Sequence, residues 1–171
     1  MKKKIVFFDG DGTLWYPKRT KYTKHPVWIY KDKRFKNHTK HLVMIPSVLS
    51  TIKKLKKNNI ITIVLSTHPQ PPKEAETIIK DKIKHFNLAK LFDGVYATKD
   101  YHNSKGKFIL KILNKRKIPK SKALMIGDSY KWDYKPAKKV GIDALLIESE
   151  YEPMKSKTKS IKKLSEIFKY L

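Results

Sequence analysis

Two carboxylates stand where the first apolar run of the chain ends. In the segment VFFDGDGTLW, residues 6–15, apolar side chains lead directly to Asp9 and Asp11, with one glycine between them. A carboxylate can act as a nucleophile and form an aspartyl-phosphate. In an extended chain the second carboxylate, two residues further on, points to the same side of the strand, where it could protonate a leaving oxygen. The pair therefore predicts a nucleophile with its acid/base.

Two later apolar runs also lead to polar side chains. The run 60–66 ends in Ser66, which Thr67 follows, and the run 94–98 leads to a helical pattern that starts at Lys105. In open parallel sheets, ligands bind beyond the carboxyl ends of the strands. We therefore expect these hydroxyl groups and this ammonium group to lie at the same edge of a sheet as the two aspartates.

Two more carboxylates follow the apolar run that ends at residue 127. Asp128 comes directly after it, and Asp133 lies five residues further on. With Asp9 and Asp11 they would place four carboxylates at one edge, where repulsion opposes ionisation unless a cation shares them. A set of ligands made only of oxygen atoms favours a hard ion, and Mg²⁺ suits a site with few carboxylates plus a substrate phosphate. The four aspartates therefore predict a Mg²⁺ site.

Strand and helix patterns alternate along the chain and determine where these groups lie. Continuous apolar runs of strand length are typical of a parallel sheet covered on both faces. Five runs are predicted as strands: residues 3–8, 60–66, 94–98, 122–127 and 143–148. Five segments have the apolar spacing of helices: residues 46–59, 72–86, 105–116, 134–141 and 160–171. This alternation predicts an α/β fold, a three-layer α/β/α sandwich with right-handed crossovers.

One segment interrupts the alternation. Residues 17–41 contain nine Lys and Arg, one acid, three histidines and four aromatic residues. This segment is too long for an ordinary connection in such a fold. Within a single domain spanning residues 1–171, we expect residues 14–45 to form a small basic cap or loop insert after the first strand. Its basic and aromatic side chains either contact the leaving group or only shield the pocket as a solvated loop.

The polar motifs resemble those of the haloacid dehalogenase superfamily. DGDGT at residues 9–13 is similar to its first motif, DxDGT, and the strand ending in Ser66 to its second. Lys105 is similar to the third motif, and GDSYKWD at residues 127–133 to the fourth, GDxxxxD. The resemblance implies a Rossmann-like parallel sheet, and an Asp two residues after the nucleophile marks the phosphatase and phosphotransferase branch. The DGTLW continuation and the small insert resemble the magnesium-dependent phosphatase-1 group.

The resemblance also implies a role for each matched carboxylate. Asp9 would be the nucleophile that accepts the phosphoryl group, and Asp11 would be the general acid/base. Asp9, the backbone carbonyl of Asp11, and Asp128 would hold Mg²⁺, with Asp133 supporting or joining them.

By the same resemblance, Ser66 and Lys105 would bind the phosphoryl group during its transfer. An alternative to each of these two residues remains open. Thr67 adjoins Ser66 and could replace it, and Lys107 lies two residues past Lys105 and could take its role.

The composition of the chain narrows its possible partners and its cellular compartment. It has 171 residues, 40 Lys and Arg against 15 Asp and Glu, and a net charge of +25. Such a charge attracts nucleic acid, membrane phosphates or small anionic substrates, although solvated lysine-rich helix faces have the same composition. The apolar runs are too short for a membrane span, and the amino-terminal run is too short for a signal peptide. The absence of cysteine favours a cytoplasmic protein. We expect either a monomer or a homodimer.

The sequence therefore predicts a Mg²⁺-dependent phosphomonoester hydrolase that acts on a small phosphorylated substrate through an aspartyl-phosphate. Two alternatives remain. The basic, aromatic insert could follow a nucleic-acid backbone in a 3′-phosphatase, whose activity on a 3′-phosphorylated oligonucleotide would fall steeply with salt. The fold could instead bind nucleic acid without catalysis, in which case oligonucleotide binding would survive the loss of Asp9.

Overall fold

A six-stranded parallel sheet forms the centre of the molecule. The computed structural model describes residues 2–68, 70–98 and 104–171. Its strands are β1 (Ile5–Phe8), β4 (Ile61–Thr67), β5 (Gly94–Thr98), β6 (Ala123–Gly127), β7 (Asp143–Ile147) and β8 (Ser160–Ile161), while β2 (Trp15–Pro17) and β3 (Leu42–Met44) form a separate pair. The strand order in the sheet is β5-β4-β1-β6-β7-β8, and every neighbouring pair is parallel.

Helices cover both faces of this sheet. They are α1 (Trp28–Lys31), α2 (Val48–Lys57), α3 (Pro72–His85), α4 (Ser104–Arg116) and α5 (Lys135–Lys139). The alternation of side chains along β1 shows the two faces, because Val6 and Phe8 join one apolar cluster while Ile5 and Phe7 join the other. Residues of α2 and α3 belong to the first cluster and residues of α4 and α5 to the second. The predicted three-layer sandwich is therefore confirmed.

The insert after β1 is a folded structure that packs on the first cluster. β2 and β3 pair antiparallel, with Tyr16 opposite Val43, and α1 lies between them in the chain. Ile29 of α1 is fully buried, and the four aromatic residues of segment 17–41 pack against the same cluster while being only partly buried themselves. The insert thus rests on the sheet through apolar contacts, and its charged side chains project outward.

The carboxyl-terminal segment differs from its prediction. The sequence predicts one helix over residues 160–171, but Ser160 and Ile161 form β8 beside β7, and Leu164–Tyr170 forms a 3₁₀-helix. The exposed edge of β7 explains the difference, since the amide of Glu148 donates to the carbonyl of Ile161 at 3.0 Å. The unpaired edge groups of β7 favour an added strand over another turn of helix, and the apolar spacing still buries Ile161, Leu164 and Ile167.

The other helices agree with their predicted positions. The segment 134–141 forms α5, preceded by a π-helix at Tyr130–Tyr134, and it ends before Gly141, whose φ of +81° is the predicted left-handed cap.

Among the described residues, no helix is both long and apolar enough to cross a membrane.

Candidate active site

A tight loop after β1 places Asp9 at the carboxyl edge of the sheet. The amide of Asp9 still donates to the carbonyl of Ile126 in β6 at 2.9 Å, and the chain then turns, with the amide of Leu14 donating to Gly10 at 2.8 Å. Gly12 has a φ of +78°, and a Cβ there would lie 2.2 Å from Oδ2 of Asp128. Only glycine therefore permits this loop to lie against the Asp128 carboxylate.

Three carboxylates meet beside this loop. Oxygen atoms of Asp9, Asp128 and Asp133 lie within 4.8 Å of one another, and all three residues are buried. The backbone amide of Ser129 donates to Asp133 at 3.0 Å and fixes its orientation. A Cβ at Gly127 would lie 2.1 Å from Cγ of Asp133, so glycine is required where β6 ends. The predicted convergence of these three aspartates is observed.

Lys105 from the first turn of α4 inserts its ammonium group into this acidic cluster. The side chain is 2% exposed, and Nζ donates to Oδ1 of Asp9 at 2.8 Å and also to Asp133. Burial alone would lower the pKa of Lys105, but Asp133 and Asp9 outweigh it and raise the pKa above the ordinary value. The lysine is therefore a fixed positive charge beside the carboxylate of Asp9.

One ammonium group does not neutralise three carboxylates. Burial, and then repulsion from Asp9 and Asp133, raises the pKa of Asp128 well above its ordinary value. Burial also raises the pKa of Asp133, although Lys105 opposes that shift. A cation would remove this repulsion, and three closely spaced carboxylates form the oxygen-only donor set that Mg²⁺ prefers. The described residues therefore fit a divalent metal ion.

The carboxylate of Asp11 contacts a different set of partners from that of Asp9. The chain leaves the extended conformation at Gly10, so the expectation that both carboxylates point to one side of a strand does not apply. Oδ1 of Asp11 accepts hydrogen bonds from Nε1 of Trp15 at 2.7 Å and from the hydroxyl of Tyr30 at 2.6 Å. Nζ of Lys82 lies 3.2 Å from Oδ2.

These partners keep Asp11 charged. Burial alone would raise the pKa of Asp11, but the charge of Lys82 and the hydrogen bonds from Tyr30, Trp15 and Lys82 together outweigh burial and lower the pKa below its ordinary value. Asp11 is therefore a carboxylate in this arrangement.

The residues predicted to bind the phosphoryl group lie around the same edge. Ser66 is buried at the end of β4, and its Oγ lies 3.5 Å from the position that a Cβ at Gly10 would occupy. Thr67 is half-buried, and its hydroxyl shares a hydrogen bond with that of Thr98 at 3.1 Å. Lys107 is exposed, whereas Lys105 reaches Asp9. Of the two alternatives left open by the sequence, the geometry favours Ser66 and Lys105.

Sequence reasoning missed Lys82, Tyr30 and Tyr151. Lys82 had a readable signal, because in α3 it lies three residues after Ile79 and four before Phe86, on the apolar face of the helix. The hydroxyl of Tyr151 donates to Oδ2 of Asp128 at 2.7 Å. Tyr30 lies in the four-residue helix α1 and Tyr151 in a turn, and neither segment shows an apolar periodicity that could have predicted these contacts.

A family model and a sequence relative match this chain. The model for haloacid dehalogenase-like hydrolases matches residues 9–147. A protein of Caldanaerobacter subterraneus subsp. tengcongensis, named as the pyrophosphatase PpaX, is 27% identical over 121 residues, which make up 70% of this chain. The match covers 52% of that relative, so the chain spans about half of its length. The narrower resemblance to the magnesium-dependent phosphatase-1 group remains a prediction.

Solved structures share the fold at low sequence identity. A structure named as a phosphatase from Clostridium difficile has a TM-score of 0.77 at 19% identity, covering 100% of this chain and 99% of its own. A structure named as a predicted phosphoglycolate phosphatase from Haemophilus somnus has a TM-score of 0.72 at 15% identity, covering 99% and 98%. YfnB from Bacillus subtilis, a structure described as bound to magnesium, has a TM-score of 0.71 at 14% identity, covering 100% and 99%. These similarities show a common fold.

Proposed function

The chain belongs to the haloacid dehalogenase-like hydrolases, and from that premise we propose that it is a Mg²⁺-dependent phosphomonoester hydrolase acting through an aspartyl-phosphate on Asp9. The observation that carries this proposal is the contact of Asp9 with Lys105 inside a buried group of three carboxylates. A nucleophilic carboxylate beside a fixed ammonium group and a candidate cation site is the arrangement that phosphoryl transfer requires.

In the first step, a carboxylate oxygen of Asp9 forms a bond to phosphorus in line with the ester bond that breaks. The electron pair of that bond passes to the leaving oxygen, which takes a proton from Asp11. Asp11 is charged before substrate binds, so it must first acquire a proton. The negative charge of the incoming phosphoryl group favours that protonation, because nearby like charge raises the pKa of a carboxyl group.

In the second step, Asp11 accepts a proton from water as the water oxygen attacks phosphorus. The bond between phosphorus and Asp9 breaks, and inorganic phosphate and the free carboxylate of Asp9 are released. This step needs Asp11 in its carboxylate form. The partners of Asp11, which are Trp15, Tyr30 and Lys82, favour that form.

The site would neutralise the charge on the transferring group from two sides. Lys105 and the hydroxyl of Ser66 would bind the equatorial oxygens, since positioning and charge stabilisation supply most of the catalysis of phosphoryl transfer. The carboxylates of Asp9 and Asp128 and the backbone carbonyl of Asp11 would hold Mg²⁺, with Asp133 supporting or joining them. When bound, the ion would neutralise phosphoryl oxygens and align them with Asp9.

A nucleic-acid 3′-phosphatase is the second candidate, and one observation favours it. All nine Lys and Arg side chains of segment 17–41 are exposed, and Tyr30 of the same segment contacts Asp11. A positive surface therefore adjoins the proposed acid/base, where it could contact the phosphates of a strand that ends in the site. The small phosphorylated substrate remains the first candidate because only 18% of the Asp11 side chain is exposed beside Tyr30 of the insert.

One screen tests the activity and separates the two substrates. Wild-type protein and Asp9→Asn are assayed with Mg²⁺ on phosphorylated metabolites and on 3′-phosphorylated oligonucleotides, at low and high salt. We expect hydrolysis of a small monoester that depends on Asp9. Hydrolysis confined to oligonucleotides and suppressed by salt would identify the second candidate, and activity that Asp9→Asn retains would refute the mechanism.

A further inference from the structure

Lys82 is a buried lysine on a helix whose other lysines face water. Its side chain is 1% exposed, whereas Lys73, Lys80 and Lys84 of α3 are exposed. Transfer of an ammonium group from water to the protein interior costs several kcal/mol unless a partner compensates. A leucine or methionine would fill the same position on the apolar face without that cost. The charge of Lys82 therefore needs an explanation other than packing.

The contacts of the ammonium group connect the core to the insert. Nζ of Lys82 donates to the hydroxyl of Tyr30 at 2.6 Å and lies 3.2 Å and 3.3 Å from the two oxygens of Asp11. It also lies 4.5 Å from the ring centre of Tyr30 and 5.7 Å from that of Trp15. Helix α3, the insert and the loop after β1 thus meet at one carboxylate.

The two oxygens of this carboxylate have unequal surroundings. Oδ1 accepts from Trp15 and Tyr30 as well as from Lys82. Among the described residues, Oδ2 accepts only from Lys82. The donors on Oδ1 fix the rotation of the carboxylate, and Oδ2 keeps capacity to exchange a proton with another molecule.

We propose that Lys82 is a positioning residue for Asp11 and that, together with Tyr30, it orients Oδ2 of Asp11 toward the leaving oxygen and the attacking water. This inference rests on the proposed function, because it assigns to Asp11 the acid/base role. A buried ion pair is weak evidence for stability, so an orienting role explains why the pair is placed at this carboxylate. Tyr30 gives the insert a part in the same role, because its hydroxyl group donates to Oδ1 of Asp11.

Two variants and one matched control test this role. Lys82→Met removes the ammonium group and keeps the length of the side chain, and Tyr30→Phe removes only the hydroxyl group. Lys80→Met removes a lysine from the exposed side of the same helix. Each protein is assayed with an alkyl phosphate and with an aryl phosphate. The aryloxide leaving group needs little help from a proton, whereas the alkoxide does need it. Circular dichroism measures the folded fraction of each protein.

The expected result is a loss of activity in which the slow step depends on the leaving group. Lys82→Met should lower kcat for the alkyl phosphate by about 100-fold, within the usual contribution of acid–base catalysis, with little change in KM. With the aryl phosphate, formation of the aspartyl-phosphate should remain fast while its hydrolysis slows, so that the phosphorylated protein accumulates. Tyr30→Phe should show the same pattern with a loss of about 10-fold, the effect of one hydrogen bond to a charged group.

Two outcomes would overturn the inference alone. Kinetics of Lys82→Met that match those of Lys80→Met would do so. The inference would also fail if Lys82→Met lost activity equally on both substrates, in proportion to its unfolded fraction, while a folded Tyr30→Phe behaved as wild type. Asp9→Asn is assayed alongside, and hydrolysis that the wild-type protein shows and Asp9→Asn lacks supports the proposed function, so either result then refutes the inference alone. A wild-type protein without such hydrolysis refutes both.

Discussion

Replacing Asp128 by asparagine tests whether the buried carboxylates repel one another in the absence of metal. The contacts of Lys105 are to Asp9 and Asp133, while Asp128 accepts a hydrogen bond from the neutral hydroxyl of Tyr151. Asparagine has almost the same size and can still accept that hydrogen bond. The substitution therefore removes a negative charge and leaves the packing almost unchanged.

The distances set the size of the effect. The oxygens of the three carboxylates lie within 4.8 Å, where one like-charge pair costs about 3 kcal/mol at an effective dielectric constant of about 20. Asp128 has two such neighbours, but protonation relieves part of the repulsion because its pKa is raised. We expect Asp128→Asn to raise the free energy of unfolding in EDTA by about 1–3 kcal/mol, and Tm by about 2–10 °C for a chain of this size.

Thermal and urea unfolding with EDTA and with excess Mg²⁺ provide the assay. Mg²⁺ at about 100 times its Kd should stabilise the wild-type protein by about 2.7 kcal/mol and the variant by much less, so the variant should lose most or all of its advantage. Asp81→Asn on the exposed side of α3 is the control, expected to change stability by less than about 0.5 kcal/mol. A variant less stable than wild type in EDTA, or equal stabilisation of both by Mg²⁺, would refute the electrostatic reasoning.

Three further predictions concern the metal ion, the insert and the core. Phosphatase activity should be lost in EDTA, return with Mg²⁺ and return poorly with Ca²⁺, which prefers more ligands at longer distances; equal rates with both ions would contradict this. Neutralising three exposed lysines of the insert should raise KM far more than it lowers kcat and should flatten the salt dependence, while unchanged kinetics at both salt concentrations would exclude electrostatic steering. These lysines are Lys31, Lys33 and Lys36. Asp93→Asn should lower the free energy of unfolding by about 1–2 kcal/mol at neutral pH, because Asp93 accepts from Lys56 at 2.5 Å and from the amide of Thr62 at 2.8 Å. Burial would raise the pKa of Asp93, but these partners outweigh burial and lower the pKa. The difference in free energy of unfolding between wild type and variant should therefore be present above the ordinary pKa and vanish as the pH falls through the lowered value. Urea titrations that show this difference unchanged in acid would contradict the prediction.

The strand-end residues were predictable from sequence because their positions depend on local features. Asp9 and Asp128 directly follow apolar runs, and a parallel sheet brings such ends to one edge regardless of how far apart they lie in the chain. Lys105 needed one further inference, that a helix begins just beyond the end of β5. These placements require no knowledge of side-chain packing.

The surroundings of Asp11 were not predictable because they depend on packing between distant segments. Lys82 and Tyr30 are 71 and 19 residues from Asp11 in the chain, and Tyr30 lies in an insert without a regular pattern. The carboxyl-terminal segment shows a similar limit. The spacing of Ile161, Leu164 and Ile167 satisfies a helix, but the open edge of β7 selects a strand for its first residues.

Trapping the phosphorylated protein shows whether Asp9 is the nucleophile. Wild-type protein is mixed with a phosphomonoester and Mg²⁺, quenched in acid during turnover, and its peptides are analysed by mass spectrometry before and after borohydride reduction of the acyl phosphate. We expect phosphate on the peptide that contains Asp9, reduction at that residue alone, and neither signal in Asp9→Asn. Turnover without any phosphorylated peptide, or with phosphate on another residue, would contradict it.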